Sequence, residues 1–220
     1  MKSKSILWMT GALGAWLAFP ACAAEHFEVS VGADMWFGDT KINEIRRDHD
    51  AAPSGYITLE NDFAFVPNAR FRYTTVDSNY LAFDKYDLTL YYRVLDHELM
   101  HFNAGVSLMN LSDTEYRNAY NNQRSDFDET EMTWFLAAEL NVPNTPADIV
   151  GEVNFADNNG FKSTDFIAAL QYRMPTEGHE LVMRGGYRVI DLQSEKFSSP
   201  TLGDSYVFVD GWFVGMRYQF

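Results

Sequence analysis

The chain has 220 residues, with 17 lysines and arginines against 31 aspartates and glutamates and a formal net charge of −14. So acidic a chain does not hold nucleic acid by neutralising phosphates, which takes clustered Lys and Arg. Aromatic residues make up 15 %, high for a water-soluble domain, and the one cysteine, Cys22, excludes a disulfide framework.

The first element is a targeting segment. Lys2 and Lys4 form a short positive region, Ile6 to Phe19 is apolar except for small residues and Thr10, and Ala21-Cys22-Ala23-Ala24 follows Pro20. That is the three-part pattern of a secretory signal peptide. It divides the chain into a signal peptide over 1–24 and one domain over 25–220. Cleavage removes two lysines and no carboxylate, which leaves the domain more acidic still. The apolar stretch is shorter than the ~20 residues of a membrane span. In a lipoprotein Cys22 would be the acylated first residue, but Phe19-Pro20-Ala21 lacks the expected Leu.

From Phe27 onward apolar residues recur at every second position, the period of a strand and not of a helix. Ten such segments are expected. The first, Phe27 to Phe37, places Val29, Val31, Ala33 and Met35 on one face and Glu28, Ser30, Asp34 and Trp36 on the other. The second covers about Gly55 to Phe65, with Ile57, Leu59, Phe63 and Phe65 outward, and the third Ala69 to Val76, with Phe71 and Tyr73 outward. The fourth, Phe83 to Leu95, sets Tyr86, Leu88, Leu90 and Tyr92 against Lys85, Asp87, Thr89 and Arg93. The fifth is Leu99 to Leu111, the sixth about Thr130 to Val142, the seventh Asp148 to Ala156 and the eighth Ser163 to Met174. The ninth, Glu180 to Leu192, turns Arg184 and Arg188 to the polar face, and the tenth runs from about Ser205 to Phe220. No segment approaches 18 consecutive apolar residues, so a transmembrane helix is not expected.

The connections alternate. Val66-Pro67-Asn68, Asp96-His97-Glu98, Pro143 to Pro146 and Pro175 to His179 are short and rich in turn residues. Gly38 to Ser54, Asp77 to Ala82, Ser112 to Glu129, Asp157 to Lys162 and Gln193 to Asp204 read as longer polar loops. Greasy outer faces, polar inner faces and alternating loop lengths predict an all-β, up-and-down antiparallel transmembrane barrel. The expected number of strands is ten, or eight if the short third and seventh are not crossings.

The last strand carries a further signal. Trp212, Val214, Met216, Tyr218 and Phe220 alternate down to an aromatic C-terminal residue. This resembles the C-terminal signal of bacterial outer-membrane barrels, with Tyr218 and Phe220 as the residues read by the barrel-assembly machinery. Arg184-Gly185-Gly186-Tyr187-Arg188, together with Val66-Pro67-Asn68-Ala69-Arg70-Phe71-Arg72-Tyr73 and Tyr86-Asp87-Leu88-Thr89-Leu90-Tyr91-Tyr92, resembles the small, uncharacterised outer-membrane β-barrel family with a Gly-Gly motif near its C-terminus. The resemblance implies the outer membrane of a Gram-negative bacterium, reached by a Sec-type signal peptide with periplasmic chaperones and the assembly machinery as biogenesis partners. It implies no activity. The residues Gly185 and Gly186 themselves suit a bend or a close approach within a strand.

The inner face sets the functional expectation. Arg70, Arg72, Lys85, Arg93, Arg173, Arg184, Arg188 and Arg217 face Glu28, Asp34, Glu60, Asp62, Asp87, Glu131, Glu139, Glu152 and Asp165 in near balance. An unpaired buried charge is costly, so these groups are expected to pair into a network. Barrels of about eight strands fill with side chains. The reading is a non-enzymatic outer-membrane barrel in contact with lipid, its narrow lumen mostly plugged, with a structural or surface-interaction role. The alternatives are a small channel for ions or hydrophobic solutes, and a lipid- or peptide-directed hydrolase at the outer rim. Arg46-Arg47-Asp48-His49-Asp50 offers one His among carboxylates, which reads first as a solvated charged loop. No catalytic constellation, metal site or cofactor site is expected.

Overall fold

The computed structural model describes residues 26–119, 121–158, 160–176, 178–194, 197 and 206–220. The expected signal peptide lies outside the described residues. The rest is a closed antiparallel barrel of ten strands: β1 (Phe27–Ile42), β2 (Ile45–Asn61), β3 (Asn68–Asp77), β4 (Leu81–His97), β5 (Met100–Arg117), β6 (Arg124–Asn141), β7 (Ala147–Asn158), β8 (Phe161–Thr176), β9 (His179–Ser194) and β10 (Tyr206–Gln219). Each strand pairs with its sequence neighbours, and β1 closes on β10 in an unbroken register from Ser30↔Gln219 to Ile42↔Val207. Ten strands, not eight, make the wall. The short third and seventh segments are complete crossings of 10 and 12 residues, hydrogen-bonded on both edges.

Of the polar stretches read as long loops, Gly38 to Ser54 and Ser112 to Glu129 are mostly strand among the described residues. β1 and β2 continue to a two-residue turn at Asn43 and Glu44, both with positive φ (49° and 65°), as a tight hairpin of this kind requires. β5 and β6 likewise extend to Arg117↔Arg124 with a bulge between Leu111 and Thr114. A strand needs ladder partners, not an apolar outer face. Once it leaves the lipid it can be polar outside and still pair. Asp62, expected inside, lies beyond the end of β2 in an exposed turn.

The outer surface carries a continuous apolar belt. Leu88, Leu90 and Tyr92 of β4, Met132, Trp134 and Leu136 of β6, Phe166, Leu170 and Tyr172 of β8, and Trp212, Val214 and Met216 of β10 are all exposed. Five alternate residues on a strand tilted by about 45° cover a height near the ~25 Å apolar band of such barrels.

Toward the hairpin end the pattern inverts within each strand. On β4, Lys85, Asp87 and Thr89 point inward while Tyr86 and Leu88 point out; a few residues earlier Phe83 and Leu81 are buried inside and Asp84 faces out. On β9, Arg184 and Arg188 give way inside to Ile190 and Leu192, and Asp191 takes the outer face. Below this point the outside meets lipid and the inside is polar. Above it the outside meets water and the inside becomes an ordinary dry core. Trp36, Ile42, Val76, Leu81, Phe83, Met109, Leu111, Tyr116, Phe161, Ile190, Leu192, Val207 and Val209 form that core, and Phe197 packs into it against Tyr116 and Phe127.

Candidate functional site: the layered lumen

Beneath the apolar core lies a girdle of buried charge. Lys85 is fully buried and bridges Asp87 (2.5 Å) and Asp165 (3.0 Å). Arg188 grips the same Asp165 through Nε (2.9 Å) and Nη2 (2.7 Å), and its Nη1 donates to Thr74 Oγ1. Arg70 donates to both carboxylate oxygens of Glu152 (2.7 and 2.9 Å), and Arg72 donates to Oε1 (2.6 Å). Arg184 approaches Asp34 at 3.5 Å and donates to the Tyr56 hydroxyl. The guanidinium groups also stack on rings: Arg70 over Phe135, Arg72 over Tyr56, Arg184 over Phe213 and Arg188 over Trp36. Such contacts supplement the ion pairs where water is excluded.

Below the girdle the lumen widens into a vestibule with a cavity volume near 320 Å³. It opens at the end that carries Phe27 and Phe220, where Glu28 and Arg93 are exposed. Arg93 pairs with Glu60 (3.1 Å), and Arg173 with Asp148 (2.9 Å). Tyr91 donates to Glu60 (2.6 Å) and packs its ring on Phe135. His101 meets Asp96 through Nδ1 (2.6 Å) and lines the vestibule wall.

Of the cations expected in the lumen, Arg70, Arg72, Lys85, Arg184 and Arg188 meet in the girdle with Glu152, while Arg93 and Arg173 belong to the vestibule. Arg217 and Glu139 also line the vestibule, but neither side chain forms an ion pair or hydrogen bond with another described residue. Asp148, Glu180 and Tyr56 were not singled out from the sequence. Their parity would have found them, since each keeps inward phase on β7, β9 and β2. The apolar core was missed because its residues hold the inward phase of strands whose lower inward positions are charged.

A second polar cluster lies on the outer face, just above the belt aromatics Phe37, Tyr187 and Trp212. His49 Nδ1 is 2.7 Å from Asp39 Oδ1, Arg46 pairs with the same carboxylate, and Asp210 takes Lys41 (2.7 Å) and the Tyr187 hydroxyl. Arg46 and His49 are therefore strand residues of a charged rim. No hydroxyl or thiol among the described residues is hydrogen-bonded to the His49 ring.

At the opposite end Tyr218 and Phe220 point outward in an edge-to-face pair 4.9 Å apart, and His179 stacks on Tyr218. The Phe220 amide donates to Val29, so the terminal residue is tied to the closing seam. The two motif glycines differ. A Cβ on Gly186 would lie 2.1 Å from the Ala168 carbonyl oxygen, whereas one on Gly185 would meet nothing closer than 3.6 Å. At Gly186 the facing backbone of β8 leaves no room for a Cβ.

No protein-family model matches the sequence, and no curated protein is significantly similar to it. Among solved structures, the chain is similar to the β domain of the Bordetella autotransporter BrkA, with a TM-score of 0.50 and 11 % identity over 89 % of this chain and 99 % of that one. It is also similar to the outer membrane protease OmpT of Escherichia coli (TM-score 0.46, 10 % identity, 89 % and 97 % of the two chains). The outer membrane protein OprG of Pseudomonas aeruginosa follows at TM-score 0.30 and 15 % identity, over 88 % of this chain and 95 % of that one. The fold is that of the outer-membrane β-barrels.

Proposed function

We propose that the chain is a Gram-negative outer-membrane protein with a closed lumen and no enzymatic activity, serving a structural or surface-interaction role, and that it belongs with the small Gly-Gly barrels it resembles. On this reading residues 1–24 direct it to the periplasm, and Tyr218 and Phe220 present it to the barrel-assembly machinery. The observation that supports a closed lumen is the stacking of two barriers in series. A dry core of large side chains, Trp36, Phe83 and Met109 among them, lies over a girdle in which Arg70, Arg72, Lys85 and Arg188 are each held by carboxylates. Apolar packing leaves no room for water, and cross-lumen ion pairs resist separation. Refolded protein in planar bilayers should show no steady conductance. A large ohmic conductance would overturn the proposal in favour of a channel.

The Asp39–His49 pair favours a second reading, a hydrolase at the outer rim. With no hydroxyl or thiol on His49, such an enzyme would use His49 to activate water. Cleavage of lipid or peptide substrates that is abolished by His49→Ala, with folding intact, would establish it.

A further inference from the structure

On one arc of the rim the apolar surface does not stop where the strands end. Between β2 and β3 the chain turns through Asp62-Phe63-Ala64-Phe65-Val66-Pro67. Phe63 is 45 % exposed, Val66 47 % and Phe65 93 %. The other connections at this end, 98–99, 142–146 and 177–178, contain no aromatic residue.

The turn is fixed from within. Asn61 Nδ2 donates to the Val66 and Pro67 carbonyls (3.4 and 3.3 Å), and Asn61 Oδ1 accepts from the Phe63 amide (3.0 Å). Asn68 Oδ1 takes the Asn61 amide (2.9 Å), and the Val66 amide donates to the Phe63 carbonyl (3.3 Å). The turn is also braced on both flanks by residues of the lipid-facing phase. The Phe63 ring lies 5.8 Å from that of Phe27, which alternates with Val29 and Val31 on the outer face of β1. The hydroxyl of Tyr92, on the outer face of β4, donates to the Phe65 carbonyl (3.2 Å). The turn therefore leans over the outside of the wall, and its apolar side chains prolong the belt.

We propose that the β2–β3 turn is a membrane foot, with Phe63, Phe65 and Val66 set among the phospholipids of the adjacent leaflet. A phenyl ring held in the open by an ordered turn is unfavourable in water and favourable at the boundary between headgroups and acyl chains. Barrels carry aromatic girdles at both interfaces; here a turn adds two rings beyond the strands. Continuity with the belt makes lipid the occupant, because side chains that touch Phe27 and Tyr92 stand on a surface that lipid already covers. A protein docked there would first have to displace that lipid. The foot belongs to the β1–β4 arc, so it grips the leaflet on one side of the barrel. This inference deepens the outer-membrane reading and rests on it.

The test uses the full chain refolded into phospholipid nanodiscs, which leave both faces open to water. Hydroxyl-radical oxidation is read residue by residue by mass spectrometry and divided by the rate in the urea-unfolded chain. Trp134 on the belt is the lipid reference, and His49 at the outer rim, with a side chain 61 % exposed, is the water reference. Phe65 should be protected at least tenfold, as Trp134 is, while His49 stays reactive. Its own exposure of 93 % means that the protein does not supply that protection. Phe65 as reactive as His49, beside a protected Trp134, would overturn the proposal. Loss of protection at Trp134 as well would overturn the outer-membrane reading, and the foot with it. A second measurement identifies what covers the ring. In Phe65→Trp, the fluorescence added over the unmodified protein should be quenched at least twofold by phospholipids brominated on the acyl chain near the headgroup. An added signal that is not quenched, while the belt tryptophans are, would equally overturn the foot.

Discussion

Arg70 of β3 and Glu152 of β7 meet across the lumen through two parallel hydrogen bonds of 2.7 and 2.9 Å, four strands apart around the wall. Arg72 joins the same carboxylate at 2.6 Å. A pair along one strand edge would hold only neighbours. This one ties opposite sides of the barrel together, and Glu152 is its single anionic centre.

Glu152→Gln should therefore destabilise the barrel far more than loss of a mouth pair. It strands two buried guanidinium groups, and breaking a buried pair from one side costs about 3–5 kcal/mol. Glu60→Gln, which removes the nearer of the two carboxylates that pair with the solvent-exposed Arg93, should cost no more than about 1 kcal/mol for that pair. Urea midpoints of the refolded variants in vesicles would compare them. Equal shifts would mean that the girdle contributes no more than a surface ion pair.

The outer belt makes a separate prediction. Leu88→Arg and Leu136→Arg each place a cation on the lipid face near the middle of the apolar band, at about 2–4 kcal/mol. Both should fold poorly by heat-modifiable gel mobility. By alternation alone Thr89 is the natural inward control, but it is fully buried and donates to Ser107 Oγ, so an arginine there would be crushed. Ala137, which lines the vestibule, is the better control, and Ala137→Arg should fold close to normally. Poor folding of Ala137→Arg beside normal folding of Leu136→Arg would mean that the two faces of β6 are exchanged, and equal failure would mean that the vestibule wall at Ala137 has no room for the side chain.

The Gly-Gly motif separates into a required and a tolerant position. Gly186→Ala sets a methyl group 2.1 Å from the Ala168 carbonyl oxygen, a backbone atom that can yield only if β8 shifts. Gly185→Ala meets only ordinary van der Waals neighbours. We expect Gly186→Ala to lower the yield of folded barrel several-fold and Gly185→Ala to leave it unchanged. Yields in one refolding assay would show this, and equal yields would remove the close approach as the reason for the motif.

Much of this was legible in the sequence because one solvent boundary governs it. Wherever the strand lies in lipid, Leu88 out and Thr89 in follow from period two alone. The reading weakened where that boundary ends. Phe83, Met109 and Ile190 keep the inward phase but change character, since the wall outside them faces water and the inside is free to dry. Farther along, Asp39 and Lys41 of β1 and Asp126 and Asp128 of β6 hold the outward phase, and such polar outer residues made those extensions look like loops. Pairings such as Arg70 with Glu152 were not legible at all. They depend on how far the register staggers around the barrel, which no single strand records. Parity could place Arg217 and Glu139 in the lumen, but only the packed wall brings both to the vestibule.

The two closures of the lumen should act independently, and this gives the sharpest prediction. Phe83 and Met109 are almost completely buried in the core above the belt. Phe83→Ala removes a ring from a packed site and should lower the unfolding free energy by about 3–5 kcal/mol. Phe83 is buried inside the wall, so the variant keeps its lipid-facing surface and should still insert and show heat-modifiable mobility. It should also stay non-conducting, because Lys85, Asp165 and Arg188 still close the lumen one layer below. Asp165→Ala alone leaves Lys85 with Asp87 and frees Arg188, but the core above remains dry. Only the double variant should open stepwise currents in planar bilayers. Steady current from Phe83→Ala alone would mean that the girdle passes ions and that the apolar core is the sole barrier.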